Sequence, residues 1–173
     1  MSAAASPALA LSRALLKALV VLNLAVAASD LAAIALSLVY EAEVVRYFRD
    51  RPIEGDVAAF VDGFRWMMIV GLLVFPLVHV IATRLLAIVE TVRGGDPFVA
   101  ANAERMKLIA WALLGTQVLH LVFGLFAAQL SRPNAEIDWA FSSSGWIAVL
   151  LLFVLARVFE HGAAMRADLE GTV

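Results

Sequence analysis

The chain has 173 residues, of which 63% are hydrophobic, 16% are charged and none is cysteine, and its formal net charge is −2. Soluble domains are about 45–50% apolar, so this composition argues against a soluble core protein, and the weak net charge provides no basic face for nucleic acid. The lack of cysteine excludes disulfides, thiolate metal sites, iron–sulfur clusters and cysteine nucleophiles.

Four segments are each long and apolar enough to cross a bilayer, which takes about 20 such residues in a helix. These segments, H1 to H4 in chain order, run from Ala18 to Tyr40, Trp66 to Thr83, Leu108 to Leu130 and Trp139 to Ala156. With their flanks, we predict helices at about 14–40, 64–92, 104–130 and 141–168. The sequence therefore predicts an all-α fold, a four-helix bundle that forms one integral membrane domain over residues 1–173.

Basic residues are distributed unevenly between the two sides of the predicted bundle. The side with both termini and the H2 to H3 connection carries eight lysines and arginines, and the opposite side carries five. The positive-inside rule then places both termini in the cytoplasm. On the outer side, residues 41–63 alternate charged and apolar residues around Pro52 and Gly55, which predicts short interfacial helices around this break.

The H2 to H3 connection has the pattern of a tight turn followed by a capped helix. Gly94 and Gly95 are predicted to end H2, with Asp96 as the N-cap of the next helix and Pro97 at its first position. H3 then projects about two turns into the cytoplasm. H4 is predicted to extend likewise, and its extension carries an apolar stripe that either the H3 extension or a separate cytosolic protein covers. The stripe consists of Val158, Gly162, Met165 and Leu169.

Three titratable residues lie inside the predicted spans. When H2 is extended to Val89, Asp30, His79 and His120 are each within two residues of the midpoint of H1, H2 and H3. At about 1.5 Å rise per residue they are predicted to share one mid-membrane layer to within roughly 3 Å, with Gln117 one turn from His120. Such residues are functional candidates because placing them in a bilayer costs about 2.5–3.5 kcal/mol.

Three interpretations of this polar layer stay open. The first is interhelical hydrogen bonding that fixes the register of the bundle. The second is a relay for protons or cations, and the third is a metal or haem site with His79 and His120 as ligands. The chain has no phosphate-binding loop, nucleophile elbow or His-Glu metalloprotease motif, so we predict no enzyme and assign no cofactor.

Two motifs on the predicted cytoplasmic side resemble a known family. The first is Gly95-Asp96-Pro97-Phe98 with Asn102 four residues on, and the second is the C-terminal run from Val158 to Val173. Together with the helix number and spacing, they resemble small bacterial four-helix membrane proteins grouped as domain of unknown function 2975. This resemblance implies a bacterial cytoplasmic membrane. It also implies a partner, because many members are encoded beside Xre-type helix-turn-helix regulators.

We therefore predict a regulatory or interaction module in the lipid bilayer that docks a cytosolic partner, with no direct contact to nucleic acid. Its predicted partner surface consists of Pro97, Phe98, Asn102, Phe159, Gly162, Met165, Arg166 and Leu169. The alternative is a small proton- or cation-linked transport protein, or a metal- or haem-binding protein, that uses the mid-membrane layer and forms a homo-oligomer. The residues of that layer are Asp30, His79, His120 and Gln117.

Overall fold

The computed structural model describes residues 7–51, 56–130 and 139–170. Within these ranges the chain forms six helices and no strand, which confirms the predicted all-α fold. The helices are α1 (Pro7–Val39), α2 (Glu41–Arg49), α3 (Val57–Leu72), α4 (Val74–Arg93), α5 (Ala100–Leu130) and α6 (Ser143–Glu170).

Four segments of the described chain are long and apolar enough to cross a membrane, as the sequence predicts. H1 corresponds to α1, H2 to α3 and α4 together, H3 to α5 and H4 to α6. The fold is thus an all-α membrane bundle. We call the end with the start of α1, the α4 to α5 connection and the end of α6 the hairpin end. The opposite end, which carries α2, is the α2 end.

The second span is one long helix, Val57–Arg93, with a kink at Leu73, where the backbone stays in the right-handed helical region. Helix α3 ends at Leu72 and α4 begins at Val74. Pro76 explains the position of this kink, because proline lacks an N–H and its ring clashes with the carbonyl four residues earlier, which is that of Leu72. Gly71 leaves open space beside the kink, since a Cβ built on it would meet no atom within 4 Å. Cavities lie next to this point, as described below.

The second span also begins earlier than predicted. Helix α3 starts at Val57, where the carboxylate of its N-cap Asp56 accepts from the Ala58 N–H at 2.9 Å. The chain before Pro52 forms the expected short helix, α2, but the chain after Gly55 continues directly into the span. Residues 52–55 themselves lie outside the described ranges.

The four spans form an open row and not a closed ring. Helix α1 packs on α3 and α4, and α5 packs on α3, α4 and α6. Among the described residues, α6 packs on no helix other than α5. The rest of its apolar surface, which includes exposed Leu150 and Val154, is left for lipid. This position explains why H4 is apolar on all its faces.

Glycines let α5 approach its neighbours closely. A Cβ on Gly115 would lie 3.0 Å from Leu77 Cδ1 of α4, and a Cβ on Gly145 of α6 would overlap the Gln117 amide. Gly124 receives the indole of Trp139 in the segment before α6. Small residues commonly serve this purpose between membrane helices, where dispersion contacts supply much of the association energy.

A buried arginine fastens the α2 end. Arg65 is only 7% exposed, and its guanidinium donates to the Ser37 carbonyl at 2.5 Å and the Ser37 hydroxyl at 3.2 Å. The same group donates to Asp62 Oδ1 at 2.9 Å and lies 3.6 Å from Glu41 Oε1. At the hairpin end, Arg13 of α1 pairs with Glu90 of α4 at 2.5 Å. An arginine thus ties α1 to the second span at each end, by hydrogen bonds at the α2 end and by an ion pair at the hairpin end.

Replacing Gly124 by alanine is expected to destabilise the protein, because the new Cβ would lie 2.3 Å from Trp139 Cε2. The indole has little freedom to move, since its Nε1 donates to the His120 carbonyl at 3.1 Å and its ring stacks on the imidazole. We expect Gly124→Ala to lower the free energy of unfolding by about 1–3 kcal/mol, the usual cost of overpacking.

Gly71→Ala is the matched control, because it makes the same change in a helix where the new Cβ meets no atom within 4 Å. Thermal unfolding in detergent, followed by circular dichroism, measures both variants. If Gly124→Ala unfolds at as high a temperature as Gly71→Ala, the described packing of Trp139 on α5 is wrong.

Candidate functional site

The hairpin between α4 and α5 begins with a Schellman turn. Gly95 has a φ of 84°, a left-handed conformation that glycine adopts without strain. The Gly95 N–H donates to the Val92 carbonyl and the Asp96 N–H to the Thr91 carbonyl, both at 3.1 Å. The two glycines therefore end α4 as predicted. Helix α5 begins only at Ala100, so Asp96 and Pro97 belong to the turn and not to the helix start.

Asn102 holds this hairpin together from its interior. Its side chain has an exposed fraction of 0%. Its Nδ2 donates to the Pro97 carbonyl and to Thr91 Oγ1, both at 2.8 Å, and its Oδ1 accepts from Arg105 Nη1 at 2.7 Å. One amide thus connects the end of α4, the turn and the start of α5. The placement of Asn102 on the partner surface is therefore wrong, because a fully buried side chain meets no partner.

The hairpin packs on α6 through residues that the sequence assigned to the partner surface. The rings of Phe98 and Phe159 lie 5.4 Å apart between centroids. A Cβ on Gly162 would lie 3.2 Å from Phe98 Cδ1, and Arg166 pairs with Asp96. These residues cover part of the α6 stripe with the chain itself. Met165 stays 63% exposed, and the side chain of Leu169 lies outside the described residues.

A cleft of about 400 Å³ opens between α5 and α6 at the hairpin end. We call it the alanine cleft, because small side chains on both helices leave the space open. Glu104 and Glu160 lie at this cleft, and Lys107 contacts Glu104 at 3.0 Å and Glu160 at 3.4 Å. The alanines that line it are Ala100, Ala101, Ala103, Ala163, Ala164 and Ala167.

Asp30 and His120 line neighbouring cavities beside the kink in the second span. The Asp30 cavity has a volume of about 520 Å³ and the His120 cavity about 350 Å³. Gly71 and Phe123 line both cavities. The two cavities are therefore neighbours, while a shared depth of Asp30 and His120 stays a prediction.

His79 lies elsewhere. It lines a third cavity, of about 600 Å³, together with Asn23 and Pro76. His79 is eight residues beyond Gly71, which corresponds to about 12 Å along a helix. The prediction of one layer within roughly 3 Å is therefore wrong for His79. Among the described residues, no hydrogen bond or ion pair joins His79 to Asp30 or His120.

His120 and Gln117 connect α5 to the start of the fourth span. His120 Nε2 donates to the Ala140 carbonyl at 3.1 Å, and the imidazole stacks on Trp139 with ring centroids 5.5 Å apart. Gln117 is 9% exposed and its amide fills the space beside Gly145. These contacts favour the interpretation of interhelical hydrogen bonding for His120. In the part of the chain that the structure describes, no group of three His, Asp or Glu residues is arranged to hold a metal ion.

Asp30 differs from the other polar residues of the spans. Its carboxylate has no hydrogen-bond or ion-pair partner among the residues that the structure describes. The neighbouring Ser29 hydroxyl donates to the Ala25 carbonyl of its own helix at 2.9 Å instead. A charged aspartate at this depth costs about 2.5–3.5 kcal/mol even on the mildest scale. The residue is therefore a functional candidate on energetic grounds.

Sequence reasoning missed Arg65 and the alanine cleft. Arg65 carried a signal, because Asp62 precedes it by one helical turn and Trp66 opens the apolar segment directly after it. The alanines also had a pattern, since they recur on the hairpin-end turns of both α5 and α6. The sequence does not show that the alanines of α5 and those of α6 line one cleft, because this depends on the tertiary contact between the two helices.

Residues 23–173 match the family described as Protein of unknown function (DUF2975). No curated protein and no solved structure matches the chain. The matched range begins at Asn23 of α1 and includes the kink at Leu73, the hairpin and all of α6. It covers more than half of the sequence and agrees with the resemblance seen in the motifs. The chain belongs to this family of proteins of unknown function.

Proposed function

We propose that this protein is a membrane-anchored interaction module, not an enzyme, and that it docks a partner protein at its hairpin end. The observation that supports the proposal is the open alanine cleft between two rigidly connected helices. Its volume of about 400 Å³ is within the range of about 300–1,000 Å³ for ligand pockets. It has room for apolar side chains presented by a partner helix.

The cleft is held in place before any partner binds. The buried Asn102 amide fixes the hairpin, and the contact between Phe98 and Phe159 fixes the hairpin on α6. Alanine walls lose no side-chain rotamer entropy when they are covered, so docking orders few groups on this side of the interface. A preformed cleft of this kind favours binding at low entropic cost.

Charges near the cleft indicate the chemistry of the partner. Glu104 and Glu160 place two carboxylates there; Lys107 contacts both, and Arg157 also pairs with Glu160 at 2.9 Å. Glu104 is the more exposed of the two carboxylates, so we infer an amphipathic partner helix that inserts apolar side chains into the cleft and presents a lysine or arginine to Glu104. The helix-turn-helix regulators implied by the family resemblance would bring such basic residues, because they bind the phosphates of DNA. Docking would then hold the regulator at the membrane and away from DNA.

Filling the cleft is expected to weaken docking. The probe is a purified Xre-type helix-turn-helix regulator, the class of partner that the family resemblance implies, and its binding to the full chain in nanodiscs is measured by interferometry. We expect Ala164→Trp to reduce the affinity about tenfold or more, as for a central interface residue. Affinity for the unmodified chain should also fall as salt rises, because charge pairs contribute.

The matched control is Ala42→Trp, the same substitution at an exposed position of α2 at the other end of the bundle. It should leave the affinity unchanged. Asn102→Ala should weaken binding without touching the partner, since the hairpin loses its internal hydrogen bonds. Equal affinities for Ala164→Trp and Ala42→Trp would remove the cleft from the docking site.

The Asp30 and His120 cavities favour a second candidate function, proton- or cation-linked transport. Both cavities lie beside the Pro76 kink of the second span, and titratable residues inside spans form proton and ion relays in pumps and transporters. In proteoliposomes with a pH gradient, the chain is expected to dissipate the gradient. Asp30→Asn should abolish this flux and Asp50→Asn, which alters an aspartate at the α2 end, should retain it. A flux that survives Asp30→Asn would exclude a relay through this residue.

A further inference from the structure

The Asp30 cavity combines one carboxylate with an aromatic and thioether lining. Its volume is about 520 Å³, and it lies among α1, α3, α4 and α5. Apart from Asp30 and Ser29, its lining is apolar. The side chains that matter for recognition are Asp30, Phe64, Phe75, Phe123, Met67 and Met68.

The carboxylate of Asp30 has no cationic partner in the described part of the chain. Arg65 lies one turn from Met68, but its guanidinium is already bonded to Ser37 and Asp62. His120 lines the neighbouring cavity and its Nε2 is bonded to the Ala140 carbonyl. The negative charge of Asp30 is therefore left for a cation from outside the chain to neutralise.

The lining indicates what kind of cation fits. An inorganic ion needs several oxygen ligands, about six to eight for calcium, and this cavity offers those of Asp30 and Ser29. The phenyl faces instead attract organic cations through their quadrupoles, and the polarisable methionine thioethers pack on aromatic groups. The observed volume suits a small organic molecule.

We propose that this cavity binds a lipophilic monovalent organic cation, such as a quaternary ammonium or phosphonium ion with an apolar body. Its charge lies at the Asp30 carboxylate and its body contacts the phenyl rings and the methionines. Val26 and Phe64 at the cavity are 45% and 43% exposed on the surface of the bundle, so a ligand dissolved in lipid has access. This binding depends neither on docking at the alanine cleft nor on ion flux.

Equilibrium binding of tetraphenylphosphonium to the purified full chain in nanodiscs tests this inference. The unmodified chain should bind the cation saturably. Its affinity for triphenylphosphine oxide, a neutral molecule of similar shape, should be at least about tenfold lower. Asp30→Asn should bind the cation about tenfold more weakly and should lose the preference over the neutral molecule. Asp30→Glu should keep that preference, because it keeps the charge.

Asp50→Asn is the matched control, because it removes an aspartate of the surface at the α2 end. It should bind like the unmodified chain. Phe64→Leu keeps an apolar lining without the ring and should lower the affinity for the cation severalfold. Equal affinity for the cation and its neutral analogue in the unmodified chain would overturn the inference, even if Asp30→Asn failed to fold. Displacement by excess sodium or potassium ions would also overturn it, because the site would then be one for inorganic ions.

Discussion

The hydrocarbon core of a bilayer supplies no water, so polar groups inside a span find their partners within the protein. Most polar side chains in these spans obey this constraint. The hydroxyls of Thr83 and Thr116 donate to carbonyls of their own helices, at 2.7 Å each. Asn23 donates to the Phe75 carbonyl at 3.1 Å, which joins α1 to α4 beside Pro76. This bond holds α1 on the second span beside the proline kink.

Helix α5 supplies many of the contacts that satisfy this constraint. It packs on α3, α4 and α6, and its glycines bring those neighbours close enough for side chains to interlock. At the hairpin end its polar residues, Asn102 and Arg105, bond the turn and α4. Nearer the α2 end, His120 bonds the segment that leads into α6. Helix α5 thus contributes to the alanine cleft at its first turn and to the Asp30 cavity through Phe123.

The spans and the hairpin turn could be predicted from sequence because their causes are local. Apolar length defines a span, and Gly94 with Gly95 permits the turn that ends α4. The depth of His79 could not be predicted, since counting from span midpoints assumes straight and equally placed helices, and the kink at Leu73 violates that assumption. The burial of Asn102 is likewise a tertiary fact. From sequence, Asn102 is a polar residue in the first turn of a helix and is expected to be exposed. Its burial follows from its contacts with Thr91 and Pro97.

His79, Gln117 and Asp30 each leave a polar group unpaired inside the described spans, and the three are not equivalent. His79 Nδ1 and Gln117 Nε2 are buried without hydrogen-bond partners. The cost of leaving each unpaired is about 1–3 kcal/mol. Asp30 is different, because its ordinary state is charged and its cavity is large enough to hold a counter-charge. Proteins usually violate local rules at functional sites, so the unpaired carboxylate in the aromatic-lined cavity among α1, α3, α4 and α5 is where we place function within the membrane.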